Sequence, residues 1–204
     1  MNYRIVRWMV VLPLLLAGCD VRSDSADPAT PTLNVVPPLD PSPTPNRSVL
    51  PLTCQITVLN IFIDESEGYC FAYPTRFTVG IQPMLDIPAI VGPAVGNSVD
   101  PVFASFAVEV TIAFDGDLRT QAKAFLREFS ATDPAAFNWS QIQVGGEAGL
   151  MVESVPVMLS WRIVFVQHNG NLFRLMYWPV DVPGAQPDLD ELTRTTLGSF
   201  AFTK

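Results

Sequence analysis

The chain has 204 residues, with 12 Lys and Arg against 20 Asp and Glu, a formal net charge of −8. A surface so acidic is repelled by phosphate backbones and anionic headgroups, which argues against nucleic acid as a partner and against electrostatic docking on a membrane. A single histidine and three cysteines leave little from which to build a metal centre or a histidine-based catalytic site.

Taken in chain order, Arg4 and Arg7 precede an apolar run from Trp8 to Leu16. The run is long enough for the hydrophobic part of a secretory signal and too short to span a bilayer. Leu16-Ala17-Gly18-Cys19 closes it and resembles the lipobox of a bacterial lipoprotein. The resemblance implies that residues 1–18 are removed and that Cys19 is lipidated on its thiol and becomes the mature N-terminus, anchored in the membrane by acyl chains without a transmembrane helix. The expected address is the extracytoplasmic face of the membrane. Asp20 resembles the signal that keeps some lipoproteins on the inner membrane, while the choice between inner and outer membrane stays open. Loss of Arg4 and Arg7 leaves 10 basic and 20 acidic residues, a mature balance of −10.

Residues 19–51 are rich in Pro, Ser, Thr and Asp, with Pro28, Pro31, Pro37, Pro38, Pro41, Pro43, Pro45 and Pro51. Proline fixes φ and removes a donor, so this segment reads as an extended tether without packed structure. At about 3.1 Å per residue it reaches at most roughly 90 Å. Residues 52–204 then suit one domain of about 150 residues with a real core.

Thr53 to Ile63 is rich in β-branched residues, and the acidic turn Asp64-Glu65-Ser66-Glu67-Gly68 leads into Tyr69–Tyr73, a predicted hairpin ending at Pro74. With Cys19 committed to lipid, Cys54 and Cys70 form an even pair outside the cytoplasm, which invites a disulfide. A turn centred on Ser66 sets Cys70 against Phe62 and leaves Cys54 some eight residues further along, too far to bridge unless the strand breaks or folds back. A Cys54–Cys70 bond and two buried thiols are the two readings. Residues 81–101, with Pro83, Pro88, Pro93, Pro101, Gly92 and Gly96, read as a long irregular loop. Its apolar residues Met84, Leu85, Ile87, Ile90, Val91 and Val95 either pack over the core, the preferred reading, or form a contact surface.

Alternation from Val102 to Phe114 predicts a strand with Val102, Ala104, Phe106, Val108, Val110, Ile112 and Phe114 on one face. The period then becomes helical: Leu118, Ala122, Phe125, Leu126 and Phe129 make an apolar stripe, with Asp115 or Asp117 as cap. Arg119, Lys123 and Arg127 recur along another face and read as a solvated ridge rather than a docking site for an anionic partner. Trp139 to Val144 and Gly149 to Pro156 are strands around Gly145-Gly146. Gly145-Gly146-Glu147-Ala148-Gly149 lacks the lysine and hydroxyl residue of a phosphate loop. Asn169-Gly170 between two apolar runs predicts a hairpin pairing Val166 with Phe173, Val164 with Leu175, Arg162 with Tyr177, Phe165 with Arg174, Ile163 with Met176 and Trp161 with Trp178. Both of its faces are apolar, so both are expected to be covered. A last helix is expected from Asp188, with Glu191 as its capping partner and Leu189, Leu192 and Leu197 inward, to Gly198, before Phe200-Ala201-Phe202.

The resulting class is α+β: a single domain with an antiparallel sheet and helices packed on it. Gly68-Tyr69-Cys70-Phe71-Ala72-Tyr73-Pro74, Gly145-Gly146-Glu147-Ala148 and the ending Gly198-Ser199-Phe200 resemble the PsbP-like fold. That resemblance implies an α/β/α sandwich whose members mostly bind or assist other proteins, and it transfers no functional residue. No catalytic, metal-ligating or cofactor-binding set is assigned. His168 sits in a turn and is expected to be solvated, no serine stands in a nucleophile-elbow context, and Asp64, Glu65 and Glu67 do not follow the spacing of a calcium loop. The expected function is a non-catalytic module for binding or assembling an envelope protein. A small-ligand-binding lipoprotein and a carboxylate hydrolase are the alternatives.

Overall fold

Alternation of apolar residues at period two recurs through residues 60–178, and the computed structural model assembles these runs into nine strands; a tenth strand and two α-helices complete the described residues. It describes residues 51, 54, 58–82, 85–96 and 99–204. Residues 1–50, and with them the signal, Cys19 and all of the tether but Pro51, lie outside the described residues, as do Pro83 and Met84 of the expected loop. The strands are β1 (Asn60–Asp64), β2 (Tyr69–Tyr73), β3 (Thr78–Gln82), β4 (Ile87–Val95), β5 (Val102–Thr111), β6 (Trp139–Val144), β7 (Glu147–Pro156), β8 (Ser160–His168), β9 (Asn171–Trp178) and β10 (Ala201–Phe202). The helices are α1 (Leu118–Phe129) and α2 (Gln186–Ser199). Seven strands form one antiparallel sheet in the order β3-β4-β5-β9-β8-β7-β6, and β1, β2 and β10 form a small second sheet.

Because side chains alternate across a strand, the large sheet separates two cores. On one face Phe106, Val108, Val164, Val166, Phe173, Leu175 and Tyr177 meet Leu189 and Leu192 of α2 together with Tyr69, Phe71 and Tyr73 of the small sheet. On the other face Ala107, Ile163, Phe165, Leu172 and Met176 meet Ala122, Phe125 and Leu126 of α1. Both faces of the β8–β9 hairpin are therefore covered, and its register follows Asn169-Gly170 through Arg162–Tyr177, Ile163–Met176, Val164–Leu175, Phe165–Arg174 and Val166–Phe173. Trp161 and Trp178 lie just beyond the last of these pairs, with rings stacked 5.4 Å apart. The fold is α+β, with helices on opposite faces of an antiparallel sheet.

Local chemistry explains the boundaries. Asp117 caps α1 by accepting from Thr120 N at 2.7 Å. Between α1 and β6, Asp133 caps a short 3-10 turn by accepting from Ala135 N at 3.0 Å.

Four sequence expectations change. Residues 81–101 are not one long loop: Ile87–Val95 is a strand, with Ala89 and Ile90 buried. Its prolines are tolerated because Pro88 lies outside the β4–β5 pairing, which begins at Ala89, and Pro93 sits in a bulge between Val91 and Ala94. Gly92 is required at that bulge, since a Cβ there would lie 2.7 Å from the Phe77 ring. The first hairpin is shifted by one residue, pairing Ile63 with Cys70 and Phe62 with Phe71, because the turn runs from Asp64 to Tyr69. The terminal helix begins at Gln186, with Pro187 in its first turn and no side-chain cap. Asp188 and Glu191 instead form ion pairs with Arg76, the former at 2.7 Å. Finally, β5 ends at Thr111, so Ile112, expected on the core face, is exposed.

Candidate binding groove

Cys19, the expected lipidation site, lies outside the described residues. Cys54 and Cys70 are brought together: β1 starts only at Asn60, so Cys54 lies outside the strand, its N donating to Pro51 O at 2.8 Å. The two residues form a disulfide with Cα atoms 6.2 Å apart, and both are buried. The sequence signal for this bond was the even pair; the missing information was where the strand stops.

The acidic turn is a self-capped loop. Asp64 Oδ1 accepts from Ser66 N at 3.0 Å, Ser66 Oγ at 2.6 Å and Glu67 N at 3.0 Å. Among the described residues no group of three or more His, Cys, Asp or Glu side chains is arranged to hold a metal ion. Arg119 and Arg127 project into solvent from α1, and the Arg119 guanidinium lies 5.4 Å from the Trp139 ring centroid.

His168 is held rather than solvated. Its Nδ1 lies 2.8 Å from Glu147 Oε1, its Nε2 lies 2.9 Å from the Lys204 backbone oxygen, and its ring stacks on Phe202 at 4.0 Å. The same end of the molecule gathers further ties. Asn169 Nδ2 donates to Lys204 O at 2.8 Å, Lys204 Nζ donates to Ser66 O at 2.9 Å, and Thr203 N donates to Gly68 O at 2.9 Å. Pro51 lies at this end too, beside Gly145, Gly146, Phe200 and Phe202 in a cleft of about 530 Å³. Gly145, at φ 58°, could not carry a side chain, because its Cβ would sit 2.8 Å from the Phe202 ring.

At the opposite end of the large sheet the surface is apolar. There β8 starts, β9 ends, β5 starts, and the β7–β8 turn carries Met158 and Leu159. Met158 is 83% exposed and Leu159 39%, above the stacked Trp161–Trp178 pair. With Gln82 these residues line a groove of about 280 Å³. A second hollow of about 210 Å³ continues from Gln82 and Trp178 over Ala89, Val91 and Ser105 to Ile81 and Phe103. Gln82 and Ser105 are buried in its floor, and Ser105 Oγ donates to Phe103 O at 3.1 Å.

The rim is fixed from below. Ser160 N and Oγ donate to Asp181 at 3.3 and 2.9 Å, and Val180 N donates to Ser160 O at 2.8 Å. The Ser160 hydroxyl holds the Asp181 carboxyl below the usual carboxylate range. The turn therefore has a rigid base and an apolar tip. Apolar residues at a turn tip, where polar residues are usual, are a signal present in the sequence. The groove itself is built from three separated segments, so its assembly is visible only in the fold. A wider cleft of about 600 Å³ lies between the start of α1 and β6–β7, with Leu118, Ile142 and Leu150 in its walls beside the polar side chains Arg119, Gln141 and Gln143.

Elsewhere several ionisable side chains are committed to structure. Arg162 Nε meets both oxygens of Glu153 at 2.8 and 2.9 Å. Arg174 joins Glu109 at 2.9 Å and lies 4.8 Å from the Phe125 ring centroid. Burial pushes the Tyr177 phenol well above its ordinary range, and its hydroxyl lies 2.9 Å from Thr196 Oγ1. No described helix is long and apolar enough to cross a membrane.

No protein-family model matches the chain, and no curated protein matches it. Among solved structures it is similar to LpqN, involved in cell envelope biogenesis of Mycobacterium tuberculosis, at 13% identity and a TM-score of 0.45, over 71% of this chain and 90% of that one. A likeness at that level carries no inference about function.

Proposed function

We propose that this protein is a lipid-anchored extracytoplasmic module that recognises an envelope protein through the Trp161–Trp178 groove and performs no chemistry of its own. Anchoring rests on the order Leu16-Ala17-Gly18-Cys19 after a short apolar run. Recognition rests on one observation: the apolar groove lies at the end of the sheet opposite Pro51. The nine residues of β8 separate the two ends by about 30 Å at 3.3 Å per residue.

A shallow groove with exposed rims suits an apolar side chain presented by a protein surface. A small ligand normally needs a cavity that buries most of its area, which an open groove does not provide. A stacked indole pair flanked by a mobile thioether is the kind of anchor site that dominates protein interfaces. The PsbP-like resemblance of residues 54–204 belongs to this same proposal; helices on both faces of an antiparallel sheet support it. A carboxylate hydrolase is disfavoured by the engagement of Asp64, Asp117, Asp181, Glu109 and Glu153 in caps, hydroxyl bonds and arginine pairs.

The test is a crosslinking pull-down from native membranes with the full-length protein, Cys19→Ala and Met158→Asp. The proposal expects one envelope protein enriched at near-equal amount by the wild type, lost with Met158→Asp, and Cys19→Ala released from the membrane fraction. A Cys19→Ala protein that stays membrane-bound rejects the anchor, and capture unaffected by Met158→Asp rejects the groove.

A further inference from the structure

The outer edge of β3 points to a second copy of this chain as a partner. β3 is the end strand of the seven-stranded sheet, paired only with β4 among the described residues. An end strand presents a row of backbone donors and acceptors, and proteins usually guard such edges with charge, proline or a bulge. β3 has none of these: its residues are Thr78-Val79-Gly80-Ile81-Gln82, with Val79 52% and Ile81 60% exposed. The other end strand, β6, instead exposes Ser140, Gln141 and Gln143.

The β3 sequence is complementary to itself. Antiparallel pairing about a two-fold axis at Gly80 sets Val79 opposite Ile81 of the second copy, Thr78 opposite its Gln82, and Gly80 opposite Gly80. Val79 and Ile81 lie on one face of the strand, aligned with Ile90 and Pro88 of β4. Symmetric pairing therefore gathers four β-branched side chains into one apolar cluster, the contact that stabilises cross-strand neighbours. Charge at the edge itself is compatible with this occupant. The chain carries a net charge of −8, so most surfaces of two copies repel, yet Phe77–Gln82 carries no charge. The adjacent Arg76 is already neutralised by Asp188 and Glu191. A partner chosen by electrostatic attraction would find nothing to bind here, whereas an identical neutral edge meets no penalty.

The geometry points to an isologous dimer in which two sheets become continuous through β3, with the two apolar grooves at opposite ends of the joined sheet. Five residues a side is small against the roughly 1,200–2,000 Å² buried by stable dimers, so the dimer is dependent on concentration. The inference does not depend on the anchoring; Ile81 and Gln82 belong both to this edge and to the hollow beside the groove, so the two contacts share them.

It is tested with the purified full chain carrying Cys19→Ala, which removes any association through an acyl anchor. Sedimentation velocity across a dilution series is expected to show monomer passing to dimer. Ile81→Lys is expected to weaken dimerisation at least about tenfold while leaving the urea midpoint unchanged, because the position is exposed. Gly80→Cys is expected to form an intermolecular disulfide on mild oxidation, since directly opposed residues have Cα atoms about 4.5–5.5 Å apart, within disulfide reach. Thr78→Cys, opposite Gln82 and far from its own copy, is expected not to crosslink. A chain monomeric throughout the series, a dimer indifferent to Ile81→Lys, or equal crosslinking at positions 78 and 80 overturns the proposal.

Discussion

The two ends of the large sheet are built to opposite rules. At the Pro51 end, backbone and side-chain bonds converge on the last five residues: His168, Asn169, Ser66 and Gly68 all hold Thr203 or Lys204, and Phe202 lies under the His168 ring. At the other end Met158, Leu159, Ile81 and Phe103 stand exposed above two stacked indoles. The first end keeps polar groups paired and aromatic rings covered, which favours stability. The second leaves apolar area uncovered, which is unfavourable in water and is the surface proposed for a partner. Substitutions at the two ends should therefore separate stability from binding.

The largest expected effect is at the tied end. Phe200 is 4% exposed and packs on Tyr69 at 5.6 Å and Phe71 at 6.1 Å. Phe200→Ala is expected to lower unfolding free energy by about 3–5 kcal/mol in urea titrations. Removing the disulfide with Cys54→Ser and Cys70→Ser, which opens a loop with a sequence separation of 16, should cost about 3 kcal/mol. A melting temperature indifferent to reductant would show instead that this end is held without the bond.

His168→Ala comes next, at about 1–2 kcal/mol from the lost hydrogen bonds and ring contact. It should also speed proteolytic cleavage near Thr203 and Lys204, whose contacts with His168 and Phe202 it loosens. At the groove end the comparison reverses. Met158→Ser with Leu159→Ser is expected to change stability by no more than about 0.5 kcal/mol while abolishing partner capture. A large stability loss there would break the distinction between the two ends.

The smallest effect is that of acid. Hydrogen bonding to Ser160 lowers the Asp181 pKa, and hydrogen bonding to Thr120 lowers that of Asp117. A carboxyl whose pKa is depressed on folding contributes stability above its unfolded pKa and loses it as pH falls through the folded value. Both groups are exposed, so solvent screening keeps the effect small. Asp181→Asn should flatten the acid limb of a denaturation profile slightly, by lowering the midpoint a little at neutral pH and leaving it unchanged at the acid end.

Legibility in the sequence followed the reach of each signal. The β8–β9 register was readable because Asn169-Gly170 fixes it within the turn, and α1 because an Asp cap, a helical apolar stripe and Asp133-Pro134 bound it locally. β4 was not, because its prolines and Gly92 resemble loop punctuation until β5 and Phe77 are seen beside them. The start of α2 was misplaced because Asp188 and Glu191, suited to capping, are drawn to Arg76, more than 100 residues away in sequence. The groove drew on both kinds of signal: the Trp161–Trp178 pairing came from the hairpin register, but its apposition to Gln82 and Phe103 arises only from the order of strands in the sheet.

The most direct test of the claim that recognition belongs to the far end is site-specific photo-crosslinking in intact cells, with one probe replacing Leu159 and another replacing Gln143 near Pro51. The account predicts a single dominant adduct from position 159 and none of comparable yield from position 143. An adduct formed from position 143 alone would place the partner at the tether end and contradict it.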